Sequence, residues 1–184
     1  MSEEARQRKS KMELSQVYFW TSTILDWKPL LLHHTSKAII VNSLKHLHAK
    51  GKIRIYGFVI MPNHVHLLWE MIAMNGKEMP YASFQKFTAH EFQKELRSTN
   101  PSLLSEFEVD EPERKYRFWQ RDPLAFPVNS KTMAEQKLQY LHLNPLQAHW
   151  NLAKRPEAYM FSSARFYESM DQEFNFLTDY RERF

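Results

Sequence analysis

Two histidines and a tyrosine–asparagine pair are the residues of this sequence whose types and spacing could do chemistry. The stretch Asn63-His64-Val65-His66-Leu67-Leu68-Trp69-Glu70 sets its histidines two apart in a β-rich context. Successive side chains of a strand point to opposite faces, so His64 and His66 share one face and Val65 takes the other. Two imidazoles fixed by one strand can ligate a divalent metal, although the same spacing is equally available to a solvated strand face. The second stretch is Gln136-Lys137-Leu138-Gln139-Tyr140-Leu141-His142-Leu143-Asn144-Pro145. In a helix beginning near Ser130, Tyr140 and Asn144 stack on one face with Gln136 a turn earlier, which brings a phenol hydroxyl beside amide side chains. Read alone, Tyr140 is better explained by packing and Asn144 by capping before Pro145.

The elements that must position these residues are legible as patterns. Ile53, Ile55, Phe58, Val59 and Ile60 lead in, Pro62-Asn63 is turn chemistry, and Leu67, Leu68 and Trp69 lead out, so the histidines fall just past the tip of a hairpin whose Val65, Leu67 and Trp69 face a core. Val17 to Ile24 is rich in aromatic and β-branched residues and reads as a central first strand. Ile40, Leu44 and Leu47 recur at helical spacing, with Thr35 or Ser36 as the cap and Gly51 at the stop. His46 and His48 fall about 200° apart on that helix and cannot converge; with His33 and His34 they read as surface or packing residues. A second helix spans about 83–96, with Phe84, Phe87 and Phe92 as core.

Residues 97–116 read as a flexible surface loop, whose Glu106, Glu108, Asp110, Glu111 and Glu113 would repel DNA and belong off any nucleic-acid face. Arg117 to Asp122 reads as a further strand, and Asn129, Ser130 or Thr132 caps the Tyr140 helix. The order is strand, helix, strand, strand, helix, strand, helix. This predicts an α+β ferredoxin-like sandwich, one central antiparallel sheet with helices on one face, to which the Tyr140 helix is an addition.

Composition sets bounds. A chain of 184 residues, 43% hydrophobic and 25% charged, suits one domain with a sizeable core. The net charge of +4 is a mild basic excess compatible with a nucleic-acid partner. The absence of cysteine excludes disulfides and thiolate metal sites. The charged amino end, Met-Ser-Glu-Glu-Ala-Arg-Gln-Arg-Lys-Ser, has no apolar signal core, and no stretch approaches a membrane span, so a cytoplasmic location is expected. The expected division is a flexible arm over 1–13 carrying Arg6, Arg8, Lys9 and Lys11, a catalytic domain over 14–168, and a tail or helix over 169–184.

Four blocks in order, Gly57-Phe58-Val59-Ile60-Met61-Pro62-Asn63-His64-Val65-His66-Leu67-Leu68, Phe118-Trp119-Gln120-Arg121-Asp122, Tyr140-Leu141-His142-Leu143-Asn144-Pro145 and Pro156-Glu157-Ala158-Tyr159-Met160-Phe161-Ser162-Ser163-Ala164-Arg165, resemble the REP-associated tyrosine transposases, single-tyrosine members of the HUH class. The resemblance spans about Val17 to Tyr167. It implies the histidine motif on a central strand and a catalytic tyrosine, Tyr140, on the added helix against the histidine face. It implies Mg²⁺ or Mn²⁺ held by His64, His66 and a third ligand, for which Asn144 is the candidate and Glu70, on the histidine face, the alternative. The implied activity is cleavage and transfer of single-stranded DNA beside hairpin, REP-like elements through a 5′-phosphotyrosine, by a monomer or homodimer. Candidate DNA contacts are Arg121, Lys86, Lys137 and Arg165; Lys137 could instead steady the phenolate, and Arg165 could pin the carboxy-terminal segment. The competing readings are a DNA-binding protein of the same fold without transposition, a replication or conjugation nickase of the same class, and a metal-dependent hydrolase on an unrelated α+β fold.

Overall fold

Alternating apolar residues make the two inner strands, and helical periodicity makes the layers that cover them. The computed structural model describes residues 12–169 and 173–184. Through these the chain runs β1 (Val17–Thr23), α1 (His34–Ala49), β2 (Ile53–Ile60), β3 (His64–Met71), α2 (Pro80–Thr99), α3 (Pro101–Ser105), β4 (Glu108–Glu111), β5 (Arg114–Tyr116), β6 (Leu124–Pro127), α4 (Lys131–Leu143) and α5 (Ala164–Ser169). Arg6, Arg8, Lys9 and Lys11 of the expected arm lie outside the described residues. The main sheet is antiparallel with the order β2-β3-β1-β6. With α1 and α2 as its crossovers, this is the ferredoxin-like arrangement, and β3 and β1 are its inner strands.

One face of the sheet carries Trp20, Phe58, Ile60, Val65, Leu67 and Trp69 into a core shared with Ile40 and Leu44 of α1 and Phe84 and Phe92 of α2. Trp20 and Trp69 meet there with ring centroids 5.1 Å apart. Each such side chain contributes about 1.5–3 kcal/mol when buried, so the histidine strand is firmly backed. The opposite face carries Val17, Phe19, Val59 and Leu68 against Ala134, Leu138 and Leu141 of α4. Thus α1 and α2 cover one face and α4 is the addition on the other.

The approach of α4 depends on Gly57. The register shifts between Ile55 and Gly57, and a Cβ on Gly57 would overlap Leu138 Cδ2 and stand 3.1 Å from Leu141 Cδ1. The free edge of β2 is covered by the carboxy-terminal part of the chain. Ile60 N–H donates to Phe161 O, Ser163 N–H to Phe58 O and Thr178 N–H to Ile55 O, each at 2.9 Å. This satisfies backbone groups that an open edge would present to another chain.

Several expectations are corrected. The stretch after Arg97 is not a structureless loop: it holds α3, capped by the Asn100 side chain, and the β4–β5 pair. Its acid is matched internally, because Glu111 pairs with Arg117, with Arg121 at 3.3 Å and with Arg114 at 3.6 Å. The last sheet strand is Leu124–Pro127 rather than Arg117 to Asp122, within which Trp119 makes a bridge with Ile24. Pro127 closes this edge strand, where a missing backbone donor is tolerated. Phe87 is 49% exposed, and Thr88 takes its expected place in the core, donating to Phe84 O and accepting from Trp119 Nε1. No side-chain cap starts α1, which begins at His34; Ser130 does cap α4, accepting from Met133 N–H. Among the described residues no helix is long and apolar enough to cross a membrane.

Candidate active site

Cross-strand register assembles the site. Val59, His66, Thr21 and Leu124 form one row across β2, β3, β1 and β6, and Gly57, Leu68, Phe19 and Phe126 form the next on the same face. His64 lies one row beyond, opposite Thr23. The histidine rings meet at 4.6 Å between centroids, as their shared face requires.

Each imidazole is held by its Nδ1. The Nδ1 of His66 is 2.7 Å from Thr21 Oγ1, and the Nδ1 of His64 is 2.7 Å from Asn63 Oδ1. In both rings Nε2 is left for other duty, and that of His66 is buried with no protein partner. Burial holds His64 neutral, its pKa lowered to about 4. Burial, then the neighbouring His64 and Lys137 charges, takes His66 down to about 3. Neutral imidazoles with oriented lone pairs are the ligating form.

Tyr140 and Asn144 come to these histidines from α4 and its end. The Tyr140 ring is 5.4 Å from that of His66 and 5.8 Å from that of Phe19, edge-on to both, and Tyr140 is 45% exposed. Asn144 is buried at the carboxy end of α4. Both line the cleft that His64 and His66 line, a space of about 450 Å³. Lys137 lines it too, with Nζ 4.9 Å from the Phe19 ring centre and 5.6 Å from that of Phe126.

The remaining sequence candidates lie elsewhere. Glu70 shares the histidine face, but four residues along β3 is about 13 Å. It is buried there, accepting from Tyr56 Oη at 2.7 Å beside Arg183 and Arg54, so it is not a donor to this cleft. Lys86 and Arg121 do come together, in a separate groove between α2 and residues 113–123. Each is ion-paired, Lys86 with Glu78 at 2.8 Å and Arg121 with Glu111. Arg165 bonds Glu157 O at 3.4 Å and Glu173 at 3.2 Å, tying α5 to the carboxy-terminal segment. Gln136 is exposed and does not line the cleft.

Sequence reasoning missed Thr21, Trp27, Phe126 and Trp150, all of which line the cleft. Thr21 was findable, since a strand beside the histidine strand must present a side chain to each ring; nothing local distinguishes Trp27 or Trp150.

The donor set fits a hard divalent ion only weakly. Two neutral imidazoles and one amide oxygen are available, and among the described residues no group of three or more His, Cys, Asp or Glu could hold a metal. The Nε2 of His66, at the cleft and without a protein partner, is nevertheless available to a ligand, and an N,N,O set with open positions suits Mg²⁺ or Mn²⁺ at modest affinity.

No protein-family profile matches the sequence, and no characterised protein matches it significantly. Among solved structures, that of a REP-associated tyrosine transposase bound to a REP hairpin matches over 97% of this chain and 89% of its own, with a TM-score of 0.61 and 15% sequence identity. The fold of this chain is therefore that of the REP-associated tyrosine transposase.

Proposed function

We propose that the protein is a divalent-metal-dependent enzyme that cuts single-stranded DNA beside hairpin, REP-like elements and transfers the strand through a 5′-phosphotyrosine. The observation that carries this reading is the meeting of an exposed tyrosine, Tyr140, with a pair of neutral histidines, one of which has a buried Nε2 and no partner. A transposase of the same fold bound to a hairpin supports the choice of substrate.

A phosphodiester is anionic, so a nucleophile reaches phosphorus only when the nonbridging oxygens are neutralised. His64, His66 and Asn144 would hold Mg²⁺ or Mn²⁺. When bound, the ion supplies that neutralisation as a Lewis acid. Tyr140 Oη attacks phosphorus as its proton passes to solvent. The bond from phosphorus to the 3′-oxygen breaks, and that oxygen takes a proton and departs as a 3′-hydroxyl. The 5′-phosphate stays esterified to Tyr140, and attack by another 3′-hydroxyl reverses the step without ATP. A phenol ordinarily titrates near 10, about three units above neutrality. Lys137, one turn before Tyr140 on the cleft wall, steadies the phenolate by its charge. Lys86 and Arg121, with Arg114 and Arg117 in the same groove, would take the sugar-phosphate backbone away from the cut, exchanging their carboxylate partners Glu78 and Glu111 for phosphates.

The test is incubation of the protein with end-labelled single-stranded hairpin oligonucleotides carrying unpaired tails, with Mn²⁺ or with EDTA. The reading requires a metal-dependent cut that leaves a free 3′-hydroxyl on one fragment and protein on the 5′ end of the other. Binding without cleavage at any metal concentration would leave a DNA-binding protein of this fold, and a cut with free 5′-phosphate ends and no adduct would mean a hydrolase.

A further inference from the structure

We infer that Trp27 is the platform on which one unpaired DNA base stacks, next to the phosphate held at the histidine pair. The inference rests on the proposed function and names the feature of the substrate that its site reads.

Backbone, exposure and contacts agree on this. Asp26 and Trp27 are consecutive left-handed residues, with φ 54° and 57°. Non-glycine residues seldom adopt this region, and a bulky one there is an outlier of the kind held at functional sites. The strained turn delivers an aromatic side chain to solvent: Trp27 is 58% exposed, whereas Trp20 and Trp69 are fully buried and Trp119 nearly so. The ring nevertheless stays at the site, 6.2 Å from that of His64 at an interplanar angle of 71°.

Asn63 links the platform to the histidine. Its Nδ2 donates to Trp27 O at 3.2 Å, while its Oδ1 accepts from His64 Nδ1 at 2.7 Å. Its own carbonyl accepts from Ile24 N–H at 2.8 Å, and Ile24 O accepts from Trp27 N–H at 3.0 Å. One amide therefore sets the position of the tryptophan loop and the orientation of a candidate metal ligand. A base seated on Trp27 would be in fixed relation to the phosphate beside His64.

The rest of the cleft suits one strand rather than two. Leu124 and Phe126 expose apolar surface to it, and Lys137 is a cation on its wall. Exposed aromatic faces with a basic wall are the means by which proteins hold single strands, because every unpaired base offers a π face, whereas bases in a duplex are already stacked.

The experiment uses the full chain in EDTA, so that binding is read without cleavage. A hairpin oligonucleotide carries a single abasic site, walked along its unpaired tail, and affinity is measured by anisotropy. At one position the abasic site should weaken binding by about tenfold, the scale of one base–aromatic stack. Trp27→Ala should weaken binding of the intact oligonucleotide equally and lose nothing more at that position, and Trp27→Phe should keep most of the affinity. A 2-aminopurine placed there should be quenched on binding to the wild type and not to Trp27→Ala. Equal affinity and quenching in Trp27→Ala and wild type would overturn the inference while leaving the cleavage reading intact. Failure of the wild type to bind any single-stranded hairpin would overturn both. Trp27 is exposed, so a thermal melt superimposable on the wild type's confirms that Trp27→Ala remains folded.

Discussion

His66 is gripped from one side only. Thr21 Oγ1 holds its Nδ1, and its Nε2 is buried toward the cleft with nothing in the protein to satisfy it. An unpaired buried donor or acceptor costs about 1–3 kcal/mol, a cost that a bound ligand would recover. Removal of the grip should therefore be felt in metal binding as well as in stability. Thr21→Val should lower Mn²⁺ affinity by about 10–100-fold, the usual range for a group that orients a ligand. Titration calorimetry checks this; because His66 Nδ1 is then unpaired as well, stability read by thermal melt should fall by about 1–3 kcal/mol, which Thr21→Ser, keeping the hydroxyl, should avoid. Asn144→Asp should act in the opposite direction, since a carboxylate in place of an amide adds charge to a weak donor set; its Mn²⁺ affinity should rise. At this scale much of the site is legible in the sequence. His64 and His66 share a face because strands alternate, and Tyr140 and Asn144 share one because helices repeat. Trp27 and Trp150 were not legible, because their place at the cleft comes from chain segments folding back over β3, which no local period records.

At the scale of elements, the distance between α4 and β2 places Tyr140. Gly57 sets that distance, since any side chain there meets Leu138 and Leu141. Gly57→Ala should destabilise the protein by about 1–3 kcal/mol, as overpacking usually does, with the urea midpoint as its measure. If the buried Leu138 and Leu141 side chains give way by lifting α4 rather than by turning, cleavage should fall further than the folded fraction accounts for. The inner strands and the long helices were readable because their own side chains carry the signal: Trp20, Val65, Leu67 and Trp69 alternate toward one core, and Phe84 and Phe92 recur at helical spacing. The β4–β5 pair escaped notice because its acidic residues look like solvated loop until three arginines arrive from β5 and beyond to meet Glu111. β6 escaped because the aromatic run Arg117 to Asp122 carries the stronger strand signal, whereas Leu124–Pro127 is a short edge strand that ends on a proline.

For the molecule as a whole, burial of neutral histidines ties stability to pH. His64, His66 and His142 have folded pKa values lowered to about 4, about 3 and about 4, all chiefly by burial. An unfolded chain takes up these protons near pH 6.5, whereas the folded one resists until well below 5. The unfolded state therefore binds more protons in this window, and stability rises with pH through it. It should be fully present above pH 6.5 and fall as the pH drops toward 4, with His142 alone contributing roughly 3 kcal/mol of the loss. Urea midpoints should stay level from pH 7.5 to about 6.5 and decline from there to pH 4.5, and His142→Gln should flatten the decline. Basic and acidic surfaces are likewise arranged over the whole molecule, since Glu111 draws the acid-rich stretch onto arginines of a groove separate from the cleft, and Lys137 is a cation on the cleft wall. The central claim, that Tyr140 becomes covalently joined to DNA, is tested most directly by mass spectrometry of the protein after incubation with Mn²⁺ and a single-stranded hairpin oligonucleotide. A peptide bearing a 5′-phosphonucleotide on Tyr140, absent from Tyr140→Phe, is the predicted result. An adduct on another residue, or cleavage by Tyr140→Phe at the wild-type rate, would contradict it.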